Sequence, residues 1–149
     1  MITREQLTAD LTSLGLKPGD VVMVHSSLSA LGPVDGGADT VVDALLEAIG
    51  PTGTVIAVDM TEAMLEKTRA GADSFGLDTV DVRQGVAETL PAKDGSVDVV
   101  ISNGVVNLCP DKIAVLRVLR PGCRIQIADI VVHTEVPQDA KDDIDLWSG

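Results

Sequence analysis

The chain has 149 residues and a mass of 15.5 kDa, with 45% hydrophobic and 23% charged residues. This composition predicts one folded domain and argues against wholesale disorder. A net charge of −12 and a pI near 4.3 argue against DNA, RNA or an anionic membrane as partner, because little is left to neutralise phosphates.

Aromatics amount to 1%, Phe75 and Trp147 with no Tyr, so the core is aliphatic and base-stacking platforms are lacking. The 21 valines favour buried strands. Cys109 and Cys123 have no short repeated spacing, so neither a metal site nor a disulfide scaffold is expected. No apolar run approaches the roughly 18 residues of a bilayer span. The start, Met1 to Gln6, has no secretory signal character. A cytoplasmic, reducing location is expected.

In chain order, Thr3 and Gln6 form a capping-box pattern before Leu7, Leu11 and Leu14, which predicts a helix. Gly15 and Pro18 end it. Val21 to Val24 is a short apolar run, the mark of a strand buried on both faces. A glycine-bearing loop from His25 to Ala38 follows. Asp39 is the expected N-cap of a helix carrying Val41, Val42, Leu45, Leu46 and Ile49. Gly50-Pro51 stops that helix.

Thr54 to Asp59 reads as the second strand, and Thr61 as the cap of a helix with Met64, Leu65 and Thr68 on one side. Thr79 to Arg83 is the third strand and Val97 to Ser102 the fourth. A helix from Asp111 to Arg120, carrying Ile113, Leu116 and Leu119, is predicted to stop at Pro121-Gly122. Arg124 to Val132 is the fifth strand. The tail from Glu135 to Gly149 is acidic, with Leu146 and Trp147 as its docking candidates. Strand–helix alternation predicts an α/β fold: a Rossmann-like three-layer sandwich with a parallel sheet ordered 3-2-1-4-5.

Ligands of such sheets bind beyond the carboxyl ends of the strands, at the switch point. Four loops meet there, after His25, Asp59, Gly85 and Ser102. Asp59 ends the second strand, 22 residues after Gly37. It can accept from both ribose hydroxyls, or serve as a turn aspartate. Gly36 and Gly37 can permit close backbone approach to a ligand. No G-x-G-x-x-G is present, and Asp35 and Asp39 would repel a pyrophosphate there, so a cationic ligand suits the loop better. His25 beside Ser26 and Ser27 invites a nucleophile–base reading, but adjacent strand residues point to opposite faces. His133 reads as a surface histidine.

From about Thr54 onward, the quoted strings are Val55 to Thr61, Met64 to Lys67, Leu90-Pro91, Asp94 to Asn103 and Asn107-Leu108. They continue with Pro110 to Lys112, Val118 to Gly122 and Ala128 to Val131. Together they resemble S-adenosylmethionine-dependent methyltransferases of class I, and most of all the arsenite methyltransferases. The resemblance implies S-adenosylmethionine as cofactor. It implies ribose on Asp59, Met60 lining the adenosine pocket, adenine near Ala87 and Glu88, and the methionine end near Asn103.

The first part carries Pro18-Gly19-Asp20, Val24 to Leu28, Leu31 to Gly37 and Ala48 to Gly53. It resembles the amino end of aminoglycoside 3-N-acetyltransferases, where such a segment helps bind acetyl-CoA. The joint falls at Gly50 to Gly53, so the chain reads as a hybrid: an acetyltransferase-like segment 1–53, a methyltransferase-like core 54–134 and an acidic tail 135–149.

Against the methyltransferase pattern, the glycine-rich loop after the first strand is replaced. Gly104 stands where an arsenic-binding thiol is expected, and another would fall just after Gly149. Cys109 and Cys123 occupy other positions and read as small buried residues. About four residues, close to one turn, are missing between Arg117 and Val118. The family's later strands are missing too, which would leave an apolar edge and favour a homodimer.

The expected function is that of an arsenite methyltransferase-related, S-adenosylmethionine-dependent protein acting on a small molecule, impaired in arsenic methylation and with no catalytic residue named. One alternative is a non-catalytic hybrid fold that binds cofactor weakly or only self-associates. Another is an acetyl-CoA-binding acetyltransferase fragment.

Overall fold

The computed structural model describes residues 1–26, 31–59, 61–86, 89–106 and 109–129. Expectations for Met60, Ala87, Glu88, His133 and the tail lie outside them, as do the side chains of Ser26, Met64, Ser74 and Phe75.

Helix α1 (Arg4–Ser13) begins with the expected capping box. Gln6 N donates to Thr3 Oγ1 at 3.4 Å, and Thr3 N to Gln6 Oε1 at 2.9 Å. Strand β1 (Val21–Ser26) runs two residues further than its apolar run. Helix α2 (Gly37–Ile49) departs from expectation at its start: the N-cap is Gly36, not Asp39. Gly36 and Gly37 have φ of 78° and 67°, a left-handed pair that only glycine adopts readily. Asp39 instead lies in the first turn, where its charge suits the helix dipole.

Strand β2 (Thr54–Asp59) matches its expected bounds. Helix α3 (Glu62–Phe75) has Thr61 at its N-cap, and Leu65 is buried. Strands β3 (Val80–Gln84) and β4 (Val97–Asn103) lie within a residue of expectation. Strand β5 (Leu119–Ala128) starts five residues early.

The five strands form one sheet in the order β3-β2-β1-β4-β5, with every pair parallel. Strand alternation sorts the core onto two faces. Val22, Val55 and Val99 pack with Leu45, Ala48 and Ile49 of α2 and with Leu16 after α1. Met23, Ile56 and Val100 pack with Leu90, Val106, Cys109, Val115 and Val118 from irregular segments. Each buried aliphatic side chain of this size contributes about 1.5–3 kcal/mol.

The expected helix from Asp111 to Arg120 is corrected. Only Ala114–Leu116 is helical, as a 3₁₀ turn. Asp111 Oδ1 does start a helical turn, accepting from Ile113 N at 3.1 Å and Ala114 N at 3.0 Å. The carbonyls of Arg117 and Val118 are then taken by Gly95 N at 3.0 Å and Val97 N at 2.9 Å. That pulls Leu119 into register with Val97. Pro121-Gly122 therefore sits within a strand at a register shift instead of stopping a helix.

The segments on either side of residue 53 interlock. Arg124 Nη1 and Gln126 Nε2 donate to Gly15 O at 3.0 Å and Leu14 O at 3.3 Å, satisfying carbonyls where α1 ends. A side chain at Gly15 would collide with the Arg124 guanidinium. Val21 N donates to Asp98 Oδ2 at 2.9 Å. Among the described residues, no helix is long and apolar enough to cross a membrane.

Candidate functional site

The strand order reverses between β1 and β4, so the switch point lies at their carboxyl ends. Asp59 ends β2 on one side and Asn103 ends β4 on the other, with Ser26 of β1 in register with Asn103 between them. Two strand spacings separate β2 from β4, or about 10 Å. The structure thus brings Asp59 and Asn103 to one edge of the sheet.

The Asp59 carboxylate is half-buried. Its Oδ1 accepts from Thr61 N and Thr61 Oγ1, both at 2.7 Å. Thr61 donates its hydroxyl proton to Asp59, and its side chain makes no cap bond to α3. The two bonds fix the carboxylate's orientation and leave Oδ2 to accept from a ligand hydroxyl. This geometry fits a ribose, and Asp59 is a turn aspartate at the same time.

Ala87 and Glu88 lie outside the described residues, but their flanks are placed. Val86 and Thr89 form an antiparallel bridge, with Thr89 N donating to Val86 O at 3.1 Å, just beyond β3. Gly85 N donates to Asp59 O at 3.1 Å. A Cβ at Gly85 would approach Pro91 Cδ to 2.6 Å, so the chain passes too closely there for a side chain. Arg83 secures the turn from below. Its Nε donates to Asp81 Oδ2 at 3.0 Å, and its Nη1 donates to Pro91 O. The Asp81 hydrogen bond raises the Arg83 pKa above the ordinary arginine value.

Gly36 and Gly37 sit where α2 begins. Their turn is tied to the start of the chain, because Ile2 N donates to Pro33 O and Asp35 N to Ile2 O, both at 3.0 Å. A Cβ at Gly36 would strike Thr40 Oγ1, whereas Gly37 faces open space.

His25 is buried, and burial lowers its pKa; the Asp59 charge opposes that shift. It stands in register with Ser102 of β4, which is also buried. Along the chain His25 adjoins only Ser26 and Ser27 as hydroxyl neighbours. The pairing with Ser102 is set by strand register, which no local pattern reveals.

Gly104, just past β4, has φ 71° and donates its N–H to Ala128 O at 2.9 Å. Cys109 is buried, its Sγ 3.4 Å from Val105 O. Cys123 is only partly buried, with Sγ 3.8 Å from Asp98 Oδ1. The expectation of a buried residue therefore holds for Cys109 and is corrected for Cys123, which lies in the irregular start of β5. The two thiols stand toward opposite ends of β4 and do not converge. No group of three or more His, Cys, Asp or Glu among the described residues could hold a metal ion. A groove of about 680 Å³ lined by Arg4, Asp43, Glu47, Pro51 and Asp78 lies at the opposite edge of the sheet, away from Asp59.

Residues 36–148 match the family model described as a methyltransferase domain. The chain belongs to this methyltransferase domain family. An arsenite methyltransferase from Halobacterium salinarum is 40% identical over 151 residues, covering 95% of this chain and 38% of that protein. Aminoglycoside N(3)-acetyltransferase III from a Salmonella species is 57% identical over 56 residues, 38% of this chain and 20% of that protein. The methyltransferase domain chain thus spans well under half of either curated relative. Among solved structures, a SAM-dependent methyltransferase from Aquifex aeolicus superposes with a TM-score of 0.68. It is 20% identical and covers 89% of this chain and 70% of its own, a likeness of fold.

Proposed function

We propose that the chain is a single Rossmann-like, S-adenosylmethionine-binding methyltransferase domain, related to arsenite methyltransferases and impaired in arsenic methylation. Residues 1–53 replace the family's first strand and loop, 54–134 form the core, and 135–149 form an acidic tail. The observation that carries this reading is the Asp59 carboxylate. Thr61 orients it at the end of β2 beside the switch point, in a chain whose residues 36–148 match the methyltransferase domain model.

S-adenosylmethionine supplies an electrophilic methyl group for in-line displacement. This chain's own residues bind, orient and exclude water. Asp59 accepts from the ribose hydroxyls and Met60 lines the adenosine pocket. Ala87 and Glu88 receive the adenine, and Asn103 receives the methionine end. Gly36 and Gly37 let the start of α2 approach. A soft lone-pair acceptor requires no general base, so no catalytic residue is assigned.

Impairment toward arsenic follows from the thiols. Soft As(III) needs convergent thiolates, by analogy with soft metals. Gly104 offers none, and Cys109 and Cys123 stand apart. Their reduced state suits a cytoplasmic setting. Among the described residues β5 is the outer strand of the order, with Ile127 exposed, which supports a homodimer through this edge.

A second reading, a non-catalytic hybrid, takes its support from the 57% identity of 56 residues to an aminoglycoside N(3)-acetyltransferase. The match to the acetyltransferase keeps CoA in the test. Calorimetric titration with S-adenosylhomocysteine and with CoA should show binding of the first alone, and arsenite should be methylated very slowly or not at all. Binding of CoA alone would overturn the cofactor assignment. Rapid conversion of arsenite to methylarsenite would overturn the impairment.

A further inference from the structure

The two oxygens of the Asp59 carboxylate are not equally available. Oδ1 accepts from both Thr61 N and Thr61 Oγ1 at 2.7 Å, distances typical of charge-assisted bonds. A carboxylate offers about four lone-pair sites, two on each oxygen, so one residue fills Oδ1. The strand end beneath is held as well: Asp59 pairs with Gln84 of β3, and its carbonyl accepts from Gly85 N at 3.1 Å. Half a turn of the carboxyl group exchanges the two oxygens and leaves the count the same. Thr61 stands at the N-cap of α3 without a side-chain cap bond, so its hydroxyl serves the carboxylate and not the helix.

We propose that Thr61, by filling Oδ1, makes Asp59 a one-oxygen acceptor, so that this chain reads one of the two ribose hydroxyls strongly and the other weakly. This rests on the S-adenosylmethionine reading above and narrows it. A vicinal diol meets a carboxylate best with one hydroxyl on each oxygen. With Oδ1 filled, one hydroxyl takes Oδ2 and the second stays with solvent, to which the half-buried carboxylate is open. The hydroxyl on Oδ2 donates to a charged acceptor, the stronger kind of bond, and the other exchanges one water partner for another at little gain. Asp59 is the binding residue. Thr61 is a positioning residue that sets which part of the diol is read.

The test compares S-adenosylhomocysteine with its 2′-deoxy and 3′-deoxy analogues by calorimetry on the full 149-residue chain. In the wild type one analogue should bind roughly tenfold more weakly than the parent, and the other within about twofold of it. Thr61→Val removes the hydroxyl at nearly constant shape and frees a site on Oδ1, so the two analogues should then lose affinity about equally. Thr61→Ala is the second variant should Val prevent folding, and it should give the same levelling. Thr61→Ser keeps the hydroxyl and should keep the asymmetry, which a merely structural role at the start of α3 would not predict. Asp59→Ala should bring all three nucleosides to about the same affinity. Equal losses in the wild type, or an asymmetry that survives in Thr61→Val and Thr61→Ala, would overturn the proposal while the Asp59 effect upheld the cofactor reading. A wild-type chain that binds none of the three would overturn the cofactor reading and this proposal together.

Discussion

The two faces of the sheet are built in different ways. One is covered by regular helices: Leu45, Ala48 and Ile49 of α2 close over Val22, Val55 and Val99. The other is covered by turns and a 3₁₀ element, through Leu90, Val106, Cys109, Val115 and Val118. The helical cover satisfies its backbone internally and needs only an apolar stripe to dock. The irregular cover depends on individual long-range bonds such as Gly95 N to Arg117 O. The irregular cover follows directly on β4, whose last residue is Asn103, so the face held by specific bonds adjoins the candidate site, and His25 and Ser102 lie at its edge.

Truncation on each face should separate the two. Ile49→Ala, at a fully buried position on the helical face, should cost about 2–5 kcal/mol in urea unfolding. Val115→Ala, equally buried under the irregular cover, should cost about 1.5 kcal/mol. Its larger effect should be on S-adenosylhomocysteine affinity, which Ile49→Ala should spare. Equal effects of the two on affinity would erase the distinction between the faces.

His25 sharpens the comparison through pH. Its folded-state pKa is lowered, chiefly by burial, with Asp59 opposing. The unfolded chain therefore binds the proton first as pH falls, and acid favours unfolding. The stability contributed by neutral His25 is complete above about pH 6.5. It is lost as the pH falls from there through the lowered folded-state value. Melting curves across this range should show the loss in the wild type and a flatter profile in His25→Gln. A wild-type profile as flat as the variant's would contradict it.

The smallest expected effect is far from the site. Thr3→Ala removes the Thr3 side of the capping box on α1 and should cost about 1 kcal/mol, with nucleoside affinity unchanged. Any change in affinity would mean that α1 communicates with the carboxyl edge through Ile2 and Val34.

What was legible in the sequence follows the same division. Thr54 to Asp59 and the Thr3–Gln6 cap were readable because their signals are local: a β-branched run and a capping box. The helix over residues 111–120 was misread from the spacing of Ile113, Leu116 and Leu119. Ile113 is 73% exposed, and the buried residues are Val115 and Val118. Bonds from Gly95 and Val97, about twenty residues upstream, end the turn, and no window on residues 111–120 contains them. Asp59 was legible because a strand end is a local feature. The His25–Ser102 pairing was not, because it depends on the register of strands that are 77 residues apart in the chain.

The central claim is that the carboxyl end of β2 holds an adenosyl ribose on Asp59, and one variant tests it most directly. Asp59→Ala should lower S-adenosylhomocysteine affinity by roughly ten- to hundredfold, through the loss of charge-assisted hydrogen bonds. The same change removes the two bonds to Thr61, so a modest drop in melting temperature accompanies it. Affinity and melting temperature measured on the same protein separate the two roles of this carboxylate. Reduced affinity in a folded chain is the predicted result. Unchanged affinity beside a lowered melting temperature would leave Asp59 as a turn residue alone and contradict the account.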